Sequence, residues 1–147
     1  MRIKLSTEVG ASMEEVIKGF DHKLFEKLSP PFPKANLLRF DGSKIDDLVC
    51  LELDFLFFKQ KWASKITDAK QSDDYYEFVD EGIELPFFLK FWKHRHIIYR
   101  QTDKTIIEDN IEFQSKNKVT TYILFPFFYL LFFYRKPIYK RTFKANG

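Results

Sequence analysis

Thirteen consecutive residues near the C-terminal end, Tyr122–Tyr134, are aromatic or aliphatic, Pro126 included, and none is charged. The run is shorter than the roughly 20 residues a spanning helix needs. A buried or interfacial helix is therefore expected, from Lys118 to about Lys144, kinked or restarted at Pro126 or Pro137. A helix that is apolar all round needs cover on every side. A sheet covers one side only. The outer face then has to meet a second copy of the chain, a membrane surface or a loop.

The upstream residues alternate as a sheet does. Ile3, Leu5, Thr7 and Val9 interleave with Lys4, Ser6 and Glu8, the period-two pattern of a half-buried strand. Ser12-Met13-Glu14-Glu15 reads as a capping box. Val16, Ile17, Phe20, Leu24 and Leu28 follow at helical spacing, with a break near Asp21, and Pro30-Pro31-Phe32-Pro33 stops the helix. Six strands are then expected: 36–40, 48–58, 59–67, 75–85, 88–100 and 105–113. Short connections between them call for an antiparallel sheet. Helices on one side of such a sheet make an α+β domain. A curved seven-stranded sheet wrapped around the final helix would leave an aromatic-lined cavity between them.

At 147 residues the chain fits a single domain, 1–147. One cysteine, Cys50, excludes an internal disulfide framework, and it reads as a packed thiol. No glycine-rich phosphate loop is present. After Glu112 there are seven bases and no acid: Lys116, Lys118, Arg135, Lys136, Lys140, Arg141 and Lys144. Cations are favoured near helix C-termini, so this reads first as a solvated helix end. Bases and aromatics are not joined in any nucleic-acid motif, and no nucleic-acid partner is expected. The opening residues lack the apolar core of a secretory signal. A soluble cytoplasmic protein is the expectation.

Phe91-Trp92-Lys93-His94-Arg95-His96-Ile97, followed by Thr105–Phe113, is similar to a W-x-H-x-H … T-x-x-x-D-x-[VI]-x-[YF] pattern. That pattern marks a bacterial branch of the SRPBCC superfamily. Phe132-Phe133-Tyr134-Arg135 resembles the aromatic–Arg step of that branch's terminal helix. The superfamily includes START lipid-transfer domains, birch-pollen-allergen-like proteins and polyketide cyclases. The resemblance implies a helix-grip fold, with a seven-stranded curved antiparallel sheet around a long C-terminal helix and two short helices after the first strand. It also implies a cavity for a small hydrophobic ligand, a lipid or a polyketide-like aromatic.

If 88–100 and 105–113 form a hairpin closed near Thr102-Asp103, Trp92 opposes Phe113, His94 opposes Ile111 and His96 opposes Asp109. A His96–Asp109 pair either fixes strand register or orients an acid/base group of a cyclase or hydratase. Two His two apart on a strand point the same way, so His94, His96 and Asp109 admit a metal reading, but zinc sites need three protein ligands and a supporting second shell, and neither metal nor cofactor is expected. Ligand contacts are expected from Trp62, Phe78, Trp92, Phe113, Tyr122, Phe125, Tyr129 and Phe133, with His94, His96 and Tyr99 as polar groups. The cavity should fall in the usual range of roughly 300–1,000 Å³. Asp46-Asp47, Asp73-Asp74 and Asp80-Glu81 read as turns and solvated positions. The outer face of the last helix suggests a homodimer or peripheral membrane contact.

Overall fold

A computed structural model describes residues 1–146. Strand β1 (Arg2–Val9) buries Ile3, Leu5, Thr7 and Val9, every second residue. The chain then turns at Gly10, where a side chain would come within 2.7 Å of the backbone nitrogen of Ala145. Glycine is required by that close approach. Helix α1 (Met13–Gly19) starts in the expected capping box: Glu15 N–H donates to Ser12 Oγ, and Ser12 N–H donates to the Glu15 carboxylate. Asp21 caps α2 (His22–Lys27), which explains the break between the two short helices.

Six strands follow: β2 (Lys34–Phe40), β3 (Leu48–Asp54), β4 (Lys59–Gln71), β5 (Tyr75–Glu84), β6 (Phe91–Gln101) and β7 (Lys104–Gln114). They form one antiparallel sheet with β1, in the order β1-β7-β6-β5-β4-β3-β2. Irregularities at Ala63/Ser64 and Ile66/Asp68 interrupt the β4–β5 ladder, and such bulges bend a strand. The β6–β7 register is the one read from the sequence, with His96 opposite Asp109 and Trp92 opposite Phe113. β6 starts three residues later than expected, at Phe91, β2 starts two earlier, at Lys34, and two strand ends differ by four residues. β3 stops at Asp54 because Leu56 adopts a positive φ of 74°, and the Asp54 carboxylate accepts from its N–H. β4 runs on to Gln71 because Lys70 and Gln71 still pair with Glu77 and Tyr76.

The C-terminal segment is α3 (Lys118–Phe133) followed directly by α4 (Arg135–Thr142). Pro137 is the third residue of α4, where a missing N–H breaks no bond within that helix. Pro126 lies inside α3, and the residue whose carbonyl it frees, Tyr122, is exposed. No helix among the described residues is long and apolar enough to cross a membrane.

The interior has two halves. One packs Val16, Ile98, Ile107 and Tyr139 between the sheet and α1, α2 and α4. The other packs Trp62, Trp92, Ile111, Phe113, Phe128 and Phe132 between the sheet and α3. The outward side of α3 shows Val119, Tyr122, Ile123, Leu130 and Phe133 to solvent, so the sheet does not wrap it fully.

Candidate functional site

A polar cluster sits where the two halves meet. β5 carries Phe78 and Asp80 inward, β6 carries Trp92, His94 and His96, and β7 carries Asp109. From α4 come Arg135 and Tyr139. His94 Nε2 lies 2.9 Å from Asp109 Oδ1, and His96 Nε2 lies 2.6 Å from Asp80 Oδ2. Both imidazoles are almost entirely buried, and so is Asp109; the Asp80 side chain keeps 13% of its surface.

This corrects the expected His96–Asp109 pair. In the ladders Asp109 stands opposite His96, and Asp80 stands opposite His94. Each imidazole instead reaches diagonally, to the carboxylate opposite its neighbour. Diagonal partners on a sheet lie within reach of long side chains. The crossing brings the two rings within 3.6 Å of each other, centroid to centroid. Phe78 stacks flat on His96 at 4.3 Å, and Phe132 meets His94 edge-on at 5.1 Å. The Arg135 guanidinium lies 4.3 Å above the Phe132 ring and 3.8 Å from Asp109 Oδ1.

The electrostatics follow from burial and pairing. Burial, then repulsion by the neighbouring His96, pushes His94 down to about 4 against the pull of Asp109 and Asp80. Burial works to raise both carboxyls. The His96 hydrogen bond nonetheless holds Asp80 below its ordinary value, and the His94 hydrogen bond with the Arg135 charge does the same for Asp109. The Tyr139 phenol is pushed up, first by burial and then by Asp109. Among the described residues, three buried side-chain atoms have no hydrogen-bond partner: His96 Nδ1 and Arg135 Nη1 in this cluster, and Asn110 Oδ1 on the other face of the sheet. Buried polar atoms are almost always paired.

A cavity of about 150 Å³ adjoins the cluster. It is smaller than expected because Phe127, Phe128, Leu131 and Phe132 of α3 project into it. Of the expected contact residues, Trp62, Phe78, Trp92, His94 and His96 line it. Phe113 does not; it is buried against Phe128. Phe125 is half-buried against the second core half and lies off the cavity. Tyr122, Tyr129 and Phe133 are exposed on α3. Tyr99 points to the other face of the sheet, in alternation with His96 and Ile98. These displacements share one cause. A helix apolar on all sides carries no sequence mark of which side faces in. Asp80 and Arg135 were missed for opposite reasons. Asp80 was read with Glu81 as solvated, although it alternates with Phe78 and Tyr76, which was the available signal. Arg135 was read as part of the basic finish.

No protein-family model matches the sequence, and no curated protein matches it. Solved structures do match the fold. Norcoclaurine synthase from Thalictrum flavum, in complex with dopamine and hydroxybenzaldehyde, superposes with a TM-score of 0.61 at 16% identity, covering 86% of this chain and 76% of that one. Major latex-like protein 151 from Panax ginseng gives 0.60 at 13% identity, over 92% and 93% of the two chains. Protein Ms6760 from Mycobacterium smegmatis gives 0.58 at 15% identity, over 84% and 78%. These likenesses are of fold: with its seven-stranded antiparallel sheet, two short helices after the first strand and a C-terminal helix packed on the sheet, the chain has the helix-grip fold.

Proposed function

We propose that the protein binds a compact aromatic molecule bearing one hydroxyl or carbonyl oxygen, with the ring in the cavity and the oxygen at the His–Asp–Arg cluster. The carrying observation is the pair of unpartnered buried atoms, Arg135 Nη1 and His96 Nδ1, on residues that line an otherwise aromatic cavity. Arg135 Nη1 is a donor. His96 Nδ1 is an acceptor when Nε2–H donates to Asp80. A hydroxyl supplies both complements. The volume supports the size, since an apolar cavity of about 150 Å³ holds a single benzene-sized ring. The sequence expectation of a lipid narrows accordingly. A protein of the same fold holds dopamine and hydroxybenzaldehyde, which supports the chemical class.

Burying a ring of about 150 Å² at about 25 cal/mol per Å² contributes about 4 kcal/mol. That corresponds to a Kd near 1 mM, and each polar contact adds about 1 kcal/mol. Trp62 and Trp92 are the only tryptophans in the chain, and both line the cavity. Titration with 4-methylphenol should shift both indole N–H resonances. Toluene, which makes neither polar contact, should bind about thirtyfold more weakly. Arg135→Ala should narrow that gap to the roughly fivefold that the remaining His96 contact gives. Equal affinity for the two compounds in the wild type would remove the polar half of the proposal, and unmoved indole signals would remove all of it.

The two His–Asp pairs also favour an acid/base reading, in which the bound hydroxyl or carbonyl is a substrate oxygen. Retained 4-methylphenol binding in His96→Gln, with loss of any observed turnover, separates that reading from binding alone.

A further inference from the structure

The two histidines and Asp80 have a second property, independent of the ligand reading. Their candidate ligand atoms all lie within 4.8 Å of one another. Asp80 Oδ2 is 2.6 Å from His96 Nε2 and 3.7 Å from His94 Nδ1. Ligand atoms around a tetrahedral zinc ion, about 2.0–2.1 Å from the metal, stand about 3.3 Å apart. The two Asp80 distances bracket that value, and the two imidazole nitrogens lie within 4.8 Å of each other, so side-chain rotation can bring the three atoms to it. We propose that Asp80 Oδ2, His94 Nδ1 and His96 Nε2 form a three-ligand site for a divalent transition ion of the zinc class, with an open coordination position toward the cavity.

Three observations carry this. The first is the tautomer. His94 Nε2 is engaged by Asp109 at 2.9 Å, which places its proton there and leaves the Nδ1 lone pair free. At 3.7 Å from Asp80, that nitrogen is outside hydrogen-bond range. A carboxylate behind a histidine is the usual support for a metal-bound imidazole, because it fixes ring orientation and raises basicity. In the structure Asp80 is the ligand, and Asp109 is the support. The second is charge. The cluster holds two carboxylates, Asp109 and the largely buried Asp80, and one guanidinium, Arg135 beside Asp109, so it carries an excess negative charge when both imidazoles are neutral. Buried charge requires a counter-charge. The third is chemistry: two imidazole nitrogens and one carboxylate oxygen suit first-row transition ions and not calcium or magnesium. With a metal on Nε2, the N–H of a neutral His96 ring is on Nδ1, the nitrogen with no protein partner.

The test uses the full chain, stripped with a chelator and titrated with Zn²⁺ by calorimetry and with Co²⁺ by visible absorption, with no aromatic compound present. One equivalent of each metal is expected, with the intense visible bands of low-coordinate cobalt. His94→Ala and His96→Ala should each abolish binding. Asp80→Asn, which keeps side-chain volume, should do the same in a chain whose circular dichroism is unchanged. Asp109→Asn should weaken Zn²⁺ binding about tenfold. Cys50→Ser and His22→Ala, which alter the free thiol and the exposed imidazole, should leave it unchanged. Failure of the wild type to bind one equivalent overturns the proposal. So does binding that survives Asp80→Asn and His96→Ala but is lost in Cys50→Ser or His22→Ala. Because the 4-methylphenol titration runs without metal and this one without phenol, either reading can fail alone.

Discussion

Two polar clusters sit back to back on strands β5 and β6, one on each face. On the outer face, Arg95 donates to both oxygens of Glu77, at 2.8 and 3.1 Å, and the Tyr75 hydroxyl adds a further hydrogen bond to the same carboxylate. Glu77 is 4% exposed and its carboxylate is fully engaged. On the inner face, Asp80, His94, His96, Asp109 and Arg135 are brought together just as tightly, yet His96 Nδ1 and Arg135 Nη1 find no partner. The residues are near neighbours in sequence, since Glu77 and Asp80 are three apart and Arg95 lies between the two histidines. The engagement of the charged groups separates them, for the one unpartnered atom beside the outer cluster, Asn110 Oδ1 opposite Arg95, belongs to a neutral amide. A bidentate Arg–carboxylate pair consumes its own hydrogen-bonding capacity and locks two strands. A set of imidazoles and carboxylates facing a cavity has capacity left over, and leftover buried capacity is what a ligand or an ion can use.

Substitutions that break this contrast should rank by how much buried charge they strand. Arg95→Ala leaves the buried Glu77 carboxylate with Tyr75 alone. Its cost should be about 3 kcal/mol in urea unfolding, the low end for a broken buried pair, because Arg95 itself is 37% exposed. Adding Glu77→Gln to that variant should recover part of the loss. A cost under about 1 kcal/mol would show that the outer cluster is not the structural one.

Acid should act on the inner cluster first. His94 is held at about 4 in the folded chain against an ordinary 6.5, because burial disfavours its charged form. The unfolded chain therefore takes up a proton that the folded chain refuses. Stability is full above about pH 6.5 and falls on the way to about pH 4, by on the order of 3 kcal/mol. Glu77, whose carboxyl is lowered chiefly by Arg95 against the opposing effect of burial, adds its own loss only at still lower pH. In chelator-treated protein, His94→Gln should flatten the unfolding midpoint between pH 6.5 and 4.5. An unchanged slope there would assign the acid sensitivity elsewhere.

The two tyrosines give the finest test. Tyr75 donates to a charged acceptor and is pushed up to about 12, by burial and then by Glu77. Tyr75→Phe should cost about 1–2 kcal/mol at neutral pH. The Tyr139 hydroxyl stands 3.5 Å from Asp109, at the limit of a hydrogen bond. Tyr139→Phe should cost about 0.5 kcal/mol. A reversed order of these two values would mean that the inner cluster is the tighter of the pair.

Much of the scaffold was legible from one dimension. Alternation located β1, the box at Ser12 and Glu15 located α1, and the β6–β7 hairpin could be registered residue by residue from its polar turn. The site was legible only in part. His94, His96 and Asp109 could be placed on one face because strand side chains alternate with a period of two. Asp80 could not be joined to them, because its partner strand is adjacent through the irregular 85–90 connection, which fixes no register that sequence alone can count. Which carboxylate each imidazole chose was also unreadable. Straight and diagonal pairs are both within reach on a sheet, and the choice depends on rotamers set by Phe78 and Phe132 packing against the rings.

The sequence by itself determined the order of elements, the antiparallel sheet, the two capped short helices and the presence of an apolar helix too short to span a bilayer. Those properties follow from local periodicity and from capping and turn residues, and they need no distant partner. Only the tertiary structure decided which side of α3 faces the sheet, that Arg135 turns back over Phe132 toward Asp109, and that the cavity shrinks to about 150 Å³. A helix that is apolar on every side leaves its rotation to packing. The side chains that pack inward, Phe128 and Phe132 among them, therefore set both the volume of the cavity and which polar atoms are left facing it.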